Sequence, residues 1–194
     1  MLWEIFCHLG PIAITMLQPD QTALLVIDVQ GKLATLMHEK ETLFLNLKRL
    51  IQGAQLLGLP ILLTEQYPQG LGETSPEIKS LIPNLQPITK MSFSCCGASA
   101  FNDELSRLGR KQLLVAGIES HICVYQTVAD LLRSGYEVEV VADAVSSRTP
   151  ENRQLGLSRM KDLGARLTST EMSLFELLRV AGSPVFKEIS KLVK

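Results

Sequence analysis

Cysteine is sparse and unpatterned in this chain of 194 residues. The four cysteines, Cys7, Cys95, Cys96 and Cys123, include one adjacent pair but no C-x-x-C spacing. Neither a secreted disulfide framework nor a redox dithiol motif is indicated. Thiols left free point to a reducing compartment, and a cytoplasmic location is expected. An excess of one charge is also missing. With 19 basic and 20 acidic residues and no run of Lys or Arg, the chain lacks the electrostatic footprint of a protein that binds nucleic acid or an anionic membrane. No apolar stretch approaches the roughly 20 residues that span a bilayer. Histidine is scarce as well. His8, His38 and His121 offer no pair at the spacing that sets two imidazoles on one helix face, so no metal site and no cofactor is expected.

What the chain does have is alternation. At 46% hydrophobic and 20% charged, without repeat or interdomain linker, it supports one domain with a sizeable core. Strand-like apolar runs fall near 23–29, 60–64, 86–89, 112–117, 137–142 and 165–168. Helical periodicity separates them, which implies βαβ units on a parallel sheet and a three-layer α/β/α architecture. Leu43, Leu47, Leu50, Ile51 and Leu57 recur near helical spacing, and Gly58-Leu59-Pro60 ends that helix. Ser75-Pro76-Glu77 and Thr149-Pro150-Glu151 each have the form of an N-cap followed by proline at the first helical position. Thr168-Ser169-Thr170-Glu171 reads as a capping box for a helix through Phe175, Leu178 and Arg179. Residues 1–15 are apolar but contain Glu4, His8 and Pro11, and they lack a basic leader and a small-residue cleavage site. They are expected to be an irregular N-terminal extension or a misassigned start rather than a signal peptide, with the domain over 16–194.

Three residues carry chemical interest. The run Leu113-Leu114-Val115-Ala116-Gly117 passes through a short polar turn into helical periodicity, with Ser120 read as the N-cap and Cys123 in the first turn. Unpaired N–H groups and the positive end of the helix dipole there favour a thiolate and offer donors to an oxyanion. The plain alternative for Cys123 is a small buried hydrophobe. Asp28 closes the apolar run Ala23-Leu24-Leu25-Val26-Ile27, suited to the central strand of a sheet covered on both faces. It thereby stands at the carboxyl edge, where open α/β sheets place ligand crevices; otherwise it caps a loop. Lys90 closes the short strand Pro87-Ile88-Thr89-Lys90, with a solvated surface charge as its ordinary reading.

Taken in order, Leu25-Val26-Ile27-Asp28-Val29-Gln30, Lys90-Met91-Ser92-Phe93-Ser94 and Gly117-Ile118-Glu119-Ser120-His121-Ile122-Cys123-Val124 resemble the Asp-Lys-Cys triad segments of the isochorismatase-like cysteine hydrolases. The stretches Thr64-Glu65-Gln66-Tyr67-Pro68-Gln69-Gly70-Leu71-Gly72 and Val141-Ala142-Asp143-Ala144-Val145-Ser146-Ser147-Arg148 are similar to the branch of isochorismatase domain-containing hydrolases. The resemblance runs from about Gln18 to the C-terminus. It implies a six-stranded parallel sheet of Rossmann-like order 3-2-1-4-5-6, whose first, third and fourth strands would bring Asp28, Lys90 and Cys123 to one cleft. Cys123 is then the nucleophile, Asp28 its general base, and Lys90 the charge that steadies both. A cis peptide between Ile118 and Glu119 is implied, with the backbone N–H groups of Glu119 and Cys123 as oxyanion donors. The metal-binding Asp-x-His pair of the related nicotinamidases has no counterpart, because that place holds Thr64-Glu65-Gln66-Tyr67-Pro68.

The expected activity is therefore a metal-free cysteine hydrolase acting on a small amide, ester or isochorismate-like substrate. The alternative is a noncatalytic binding or scaffold protein that keeps the fold. Gln30, Gln66, Tyr67, Phe93, Glu119 and His121 are the candidate pocket residues, and Gly70-x-Gly72 reads as a flexible loop beside them. Cys95 and Cys96 are read as structural or incidental, with a resolving partner for Cys123 as the alternative because both follow the Lys90 strand. The partners expected are a small-molecule substrate and further copies of the chain, as a homodimer or larger, with no nucleic acid and no membrane.

Overall fold

The computed structural model describes residues 16–194, so the expectation for residues 1–15 lies outside the described residues. Six strands form one parallel sheet: β1 (Thr22–Ile27), β2 (Ile61–Gln66), β3 (Ile88–Lys90), β4 (Gln112–Ile118), β5 (Glu137–Ser146) and β6 (Arg166–Thr168). Their order is β3-β2-β1-β4-β5-β6, as the resemblance implied. A parallel sheet has helices on both faces, so its strands must be apolar on both. β1 meets that demand with all six residues buried. Successive side chains point to opposite faces. Leu24 and Val26 join the core beneath α2 (Lys40–Leu56), while Ala23, Leu25 and Ile27 join the second core.

Helices α1 (Gly31–Thr35), α3 (Pro68–Leu71) and α4 (Pro76–Lys79) are short elements at the carboxyl edge or between strands. The first core is closed by Leu43, Leu47, Leu50 and Ile51 of α2. Leu174 and Leu177 of α8 (Thr170–Leu178) and Ile189 of α9 (Phe186–Val193) complete that layer. On the other face lie α5 (Ser99–Leu108), α6 (Tyr125–Arg133) and α7 (Pro150–Asp162), contributing Phe101 and Leu105, Val128 and Leu131, and Leu157 and Met160. This second layer lies next to the proposed nucleophile.

Local chemistry explains most boundaries. Thr149 caps α7 by accepting from Asn152 N at 3.3 Å, with Pro150 at the first helical position. Ser169, and not Thr168, caps α8 by accepting from Met172 N at 3.2 Å. That shift by one residue leaves Glu171 out of the reciprocal box position, so the expected capping box is replaced by a single serine cap. β5 runs on to Ser146, past the expected end at 142, because its pairing with β4 slips between Val115 and Gly117 and resumes at Val145. A slip of that kind is set by the partner strand. Gly117 shows why: its φ is +117°, and a Cβ there would lie 2.1 Å from the Ile27 carbonyl oxygen of β1. Only glycine lets β4 approach β1 at this point. Helix α5 gave no clear sequence signal, since only Phe101 and Leu105 are buried and Ala98 caps it without a side-chain bond.

Candidate active site

The carboxyl ends of β1, β2, β3 and β4 converge on one buried polar cluster. Asp28 follows β1 directly in the left-handed region, φ +50°, a conformation that costs a non-glycine residue energy and is commonest at functional sites. Its neighbour on β2, Thr64, grips it twice. Asp28 N donates to Thr64 O at 3.2 Å, and Thr64 Oγ1 donates to Asp28 Oδ1 at 2.7 Å. Lys90, the last residue of β3, reaches across β2 and places Nζ 2.6 Å from Asp28 Oδ2. The lysine side chain is fully buried, where an unpaired charge would be very costly. Its ammonium is well supplied with acceptors: the carbonyls of Ser92 and Phe93 at 3.1 and 3.0 Å, and Gln66 Oε1 at 3.5 Å.

Cys123 completes the cluster from the far side. Beyond β4 the Ile118–Glu119 peptide is cis, and residues Ser120–Val124 form a π-helical turn leading into α6. Glu119 occupies the N-cap position in place of the expected Ser120, and it makes no side-chain cap bond. Ser120 is instead buried inside the turn, with its Oγ unpartnered. The turn is backed closely by α7, where a Cβ on Gly156 would sit 2.7 Å from Ser120 C and O. The Cys123 thiol donates to Gln66 Oε1 at 3.1 Å, and the Asp28 charge acts on it. Its pKa is pushed up to about 12, first by burial, then by the Asp28 charge, with Lys90 acting in the opposite direction. The expectation that the first-turn position favours a thiolate is corrected here. Desolvation and a neighbouring carboxylate both favour the neutral thiol, against the partial offset from Lys90.

The expected pocket residues divide. Gln66 lies in the cluster itself, bridging Cys123 and Lys90. Gln30 is fully buried and spends both ends of its amide on main chain: Nε2 donates to Gln66 O at 3.1 Å and Gly72 O at 2.6 Å, and Oε1 accepts from Gln66 N at 2.7 Å. It fixes the Gln66 backbone and the loop after α3, in place of the substrate contact expected of it. Phe93 enters the cluster through its carbonyl, with its ring exposed. Tyr67 is exposed, and its ring lies against Gly70. Glu119 is buried, and its Oε2 accepts from Arg148 N and Nε, both at 3.1 Å. His121 Nδ1 meets Ser147 Oγ at 3.0 Å. Residues 68–71 are the helix α3 where a flexible loop was expected.

One residue escaped the sequence reading, and another was read there as structural or incidental. Thr64 gave no signal, because threonine is an ordinary strand former. Cys95 is fully buried, with Sγ 3.8 Å from Thr64 Oγ1, its backbone N–H donating to Thr127 Oγ1 at 3.0 Å, and its thiol also pushed up to about 12 by burial. It therefore belongs to the cluster. Cys96 is half-buried and outside it. Among the described residues no group of three His, Cys, Asp or Glu side chains is placed to hold a metal ion, and no helix is long and apolar enough to cross a membrane.

The Isochorismatase domain model matches residues 22–172. The secreted isochorismatase effector Isc1 of Phytophthora sojae is 40% identical over 180 residues, covering 91% of this chain and 86% of its own. Isochorismatase domain-containing protein 2 of Danio rerio is 41% identical over 172 residues, covering 89% and 86%. Among solved structures, the MAR1 ribonuclease of Caenorhabditis elegans has a TM-score of 0.86 at 38% identity, covering 92% of both chains. The YcaC gene product of Escherichia coli, an octameric hydrolase of unknown specificity, has a TM-score of 0.87 at 26% identity, covering 92% of this chain and 89% of its own.

Proposed function

The chain belongs to the isochorismatase-domain family, and from its site we propose that it is a metal-free cysteine hydrolase of small amides, esters or isochorismate-like substrates. The observation that carries the reading is one carboxylate that acts on two groups: Asp28 is ion-paired to a buried lysine at 2.6 Å, and its charge raises the pKa of a buried thiol. A neutral thiol needs a base at the moment of attack, and Asp28 is in place to serve. On an acyl substrate, Asp28 takes the Cys123 proton as sulfur bonds to the carbonyl carbon and the C=O electron pair moves to oxygen. The backbone N–H groups of Glu119 and Cys123 are the proposed donors to that oxyanion, a device in which one lost donor costs about 3 kcal/mol. Collapse re-forms the carbonyl and expels the amine or alcohol, which takes the proton from Asp28. Water, deprotonated by Asp28, then attacks the thioester, and the departing sulfur recovers the proton. Lys90 anchors the carboxylate at Oδ2 through these transfers and favours the thiolate as it forms.

A homo-oligomer is proposed by analogy with the octameric E. coli relative. A cytoplasmic location is proposed from the free thiols, although the P. sojae relative is a secreted effector. A net charge of −1 argues against RNA as the substrate. Near neutral pH, a panel of p-nitrophenyl esters and anilides should leave an acyl group on Cys123 that intact-mass measurement detects, and a chelator should leave turnover unchanged. Cys123→Ala should abolish turnover with little change in melting temperature. Turnover surviving in that variant would remove Cys123 from the mechanism and favour a scaffold role.

A further inference from the structure

Asp28 has a third partner that the proposed triad leaves out, and its chemistry is specific. Thr64 Oγ1 donates to Asp28 Oδ1 at 2.7 Å, the carboxylate oxygen that Lys90 does not occupy. A hydroxyl carries one hydrogen, so its direction matters. An ionised carboxylate only accepts, so the threonine hydrogen goes to Asp28, and Cys95 Sγ stands 3.8 Å behind Thr64 Oγ1 on the side left to its lone pairs. Solvent does not compete for these bonds, since Thr64 and Cys95 are both completely buried.

We propose that Thr64 is the positioning residue of the general base: with Cys95 behind it, it holds Asp28 Oδ1 and draws down the negative charge that the carboxylate presents to the Cys123 thiol. The inference builds on the hydrolase reading above, because it assigns Thr64 its work through Asp28 and Cys123. Without the hydroxyl, Lys90 still anchors the carboxylate at Oδ2. The charge left uncompensated on Oδ1 then holds the thiol proton more tightly.

The test is the rate at which iodoacetamide alkylates Cys123, followed by peptide mass mapping at one fixed pH well below the thiol's own, where rate tracks thiolate fraction. Thr64→Val is near-isosteric and suits a strand; it should slow alkylation about three- to ten-fold, the part of a lost hydrogen bond to a charged group that passes through Asp28 to the thiol. Thr64→Ser, which keeps the hydroxyl, should restore the rate. In an Asp28→Asn background the Thr64→Val change should have almost no effect, since the coupling runs through the carboxylate. An unchanged or faster rate in Thr64→Val, an equal slowing in Thr64→Ser, or a full effect persisting in the Asp28→Asn background would each overturn the proposal. A failure of the hydrolase reading is separately visible: Asp28→Asn alone would then leave Cys123 reactivity as it was.

Discussion

At the residue scale, the proposed chemistry turns on how the charges of Asp28 and Lys90 act on the Cys123 thiol. The Asp28 carboxylate raises the thiol's pKa and the Lys90 ammonium lowers it, so removing either charge should move reactivity in opposite directions. Lys90→Met should slow Cys123 alkylation at fixed pH by about ten-fold or more, the equivalent of one unit or about 1.4 kcal/mol. Asp28→Asn should speed alkylation while abolishing turnover, because the thiol loses its competing anion and the reaction loses its base. Slower alkylation in both variants would show that the thiol responds to packing rather than charge. Asp28 and Lys90 stood out in sequence because each closes an apolar run, and Cys123 because it follows a polar turn into the next helix; their grouping came from the resemblance. The raised pKa was not legible there. It depends first on burial and then on how near the Asp28 charge comes in space, neither of which spacing reveals.

At the scale of elements, the geometry is enforced by two close backbone approaches. Gly117 lets β4 lie against β1, and Gly156 lets α7 lie against the turn that carries Cys123. Gly117→Ala would set a Cβ into the Ile27 carbonyl at a backbone angle that L-residues avoid, and should cost about 3 kcal/mol or more in urea unfolding. A loss below about 1 kcal/mol would mean that the strands separate easily there. Strand and helix positions followed from apolar runs and capping residues. The register slip in β5 and the single cap at Ser169 did not, because each is chosen between near-equal local options by a neighbouring element.

At the scale of the whole molecule, two buried thiols tie stability to alkaline pH. Cys95 is raised from 9.0 to about 12, so its neutral form contributes stability that is fully present below 9 and is lost as pH rises toward 12. Each unit in that window costs about 1.4 kcal/mol for a thiol kept neutral in the fold. Unfolding free energy from urea titrations at successive alkaline pH values should therefore decline more steeply for the native chain than for Cys95→Ala; parallel curves would place Cys95 in contact with solvent. By itself the sequence determined the α/β class, the number of strands and the family, because apolar periodicity and ordered motifs are local properties read one segment at a time. Only the tertiary structure decided that Thr64 and Cys95 stand behind Asp28, that Gln30 is spent on loops, and that the resting thiol is neutral. Those outcomes depend on which side chains from β1, β2, β3 and β4 meet out of water, and electrostatics in a desolvated cluster follows distance in space rather than distance along the chain.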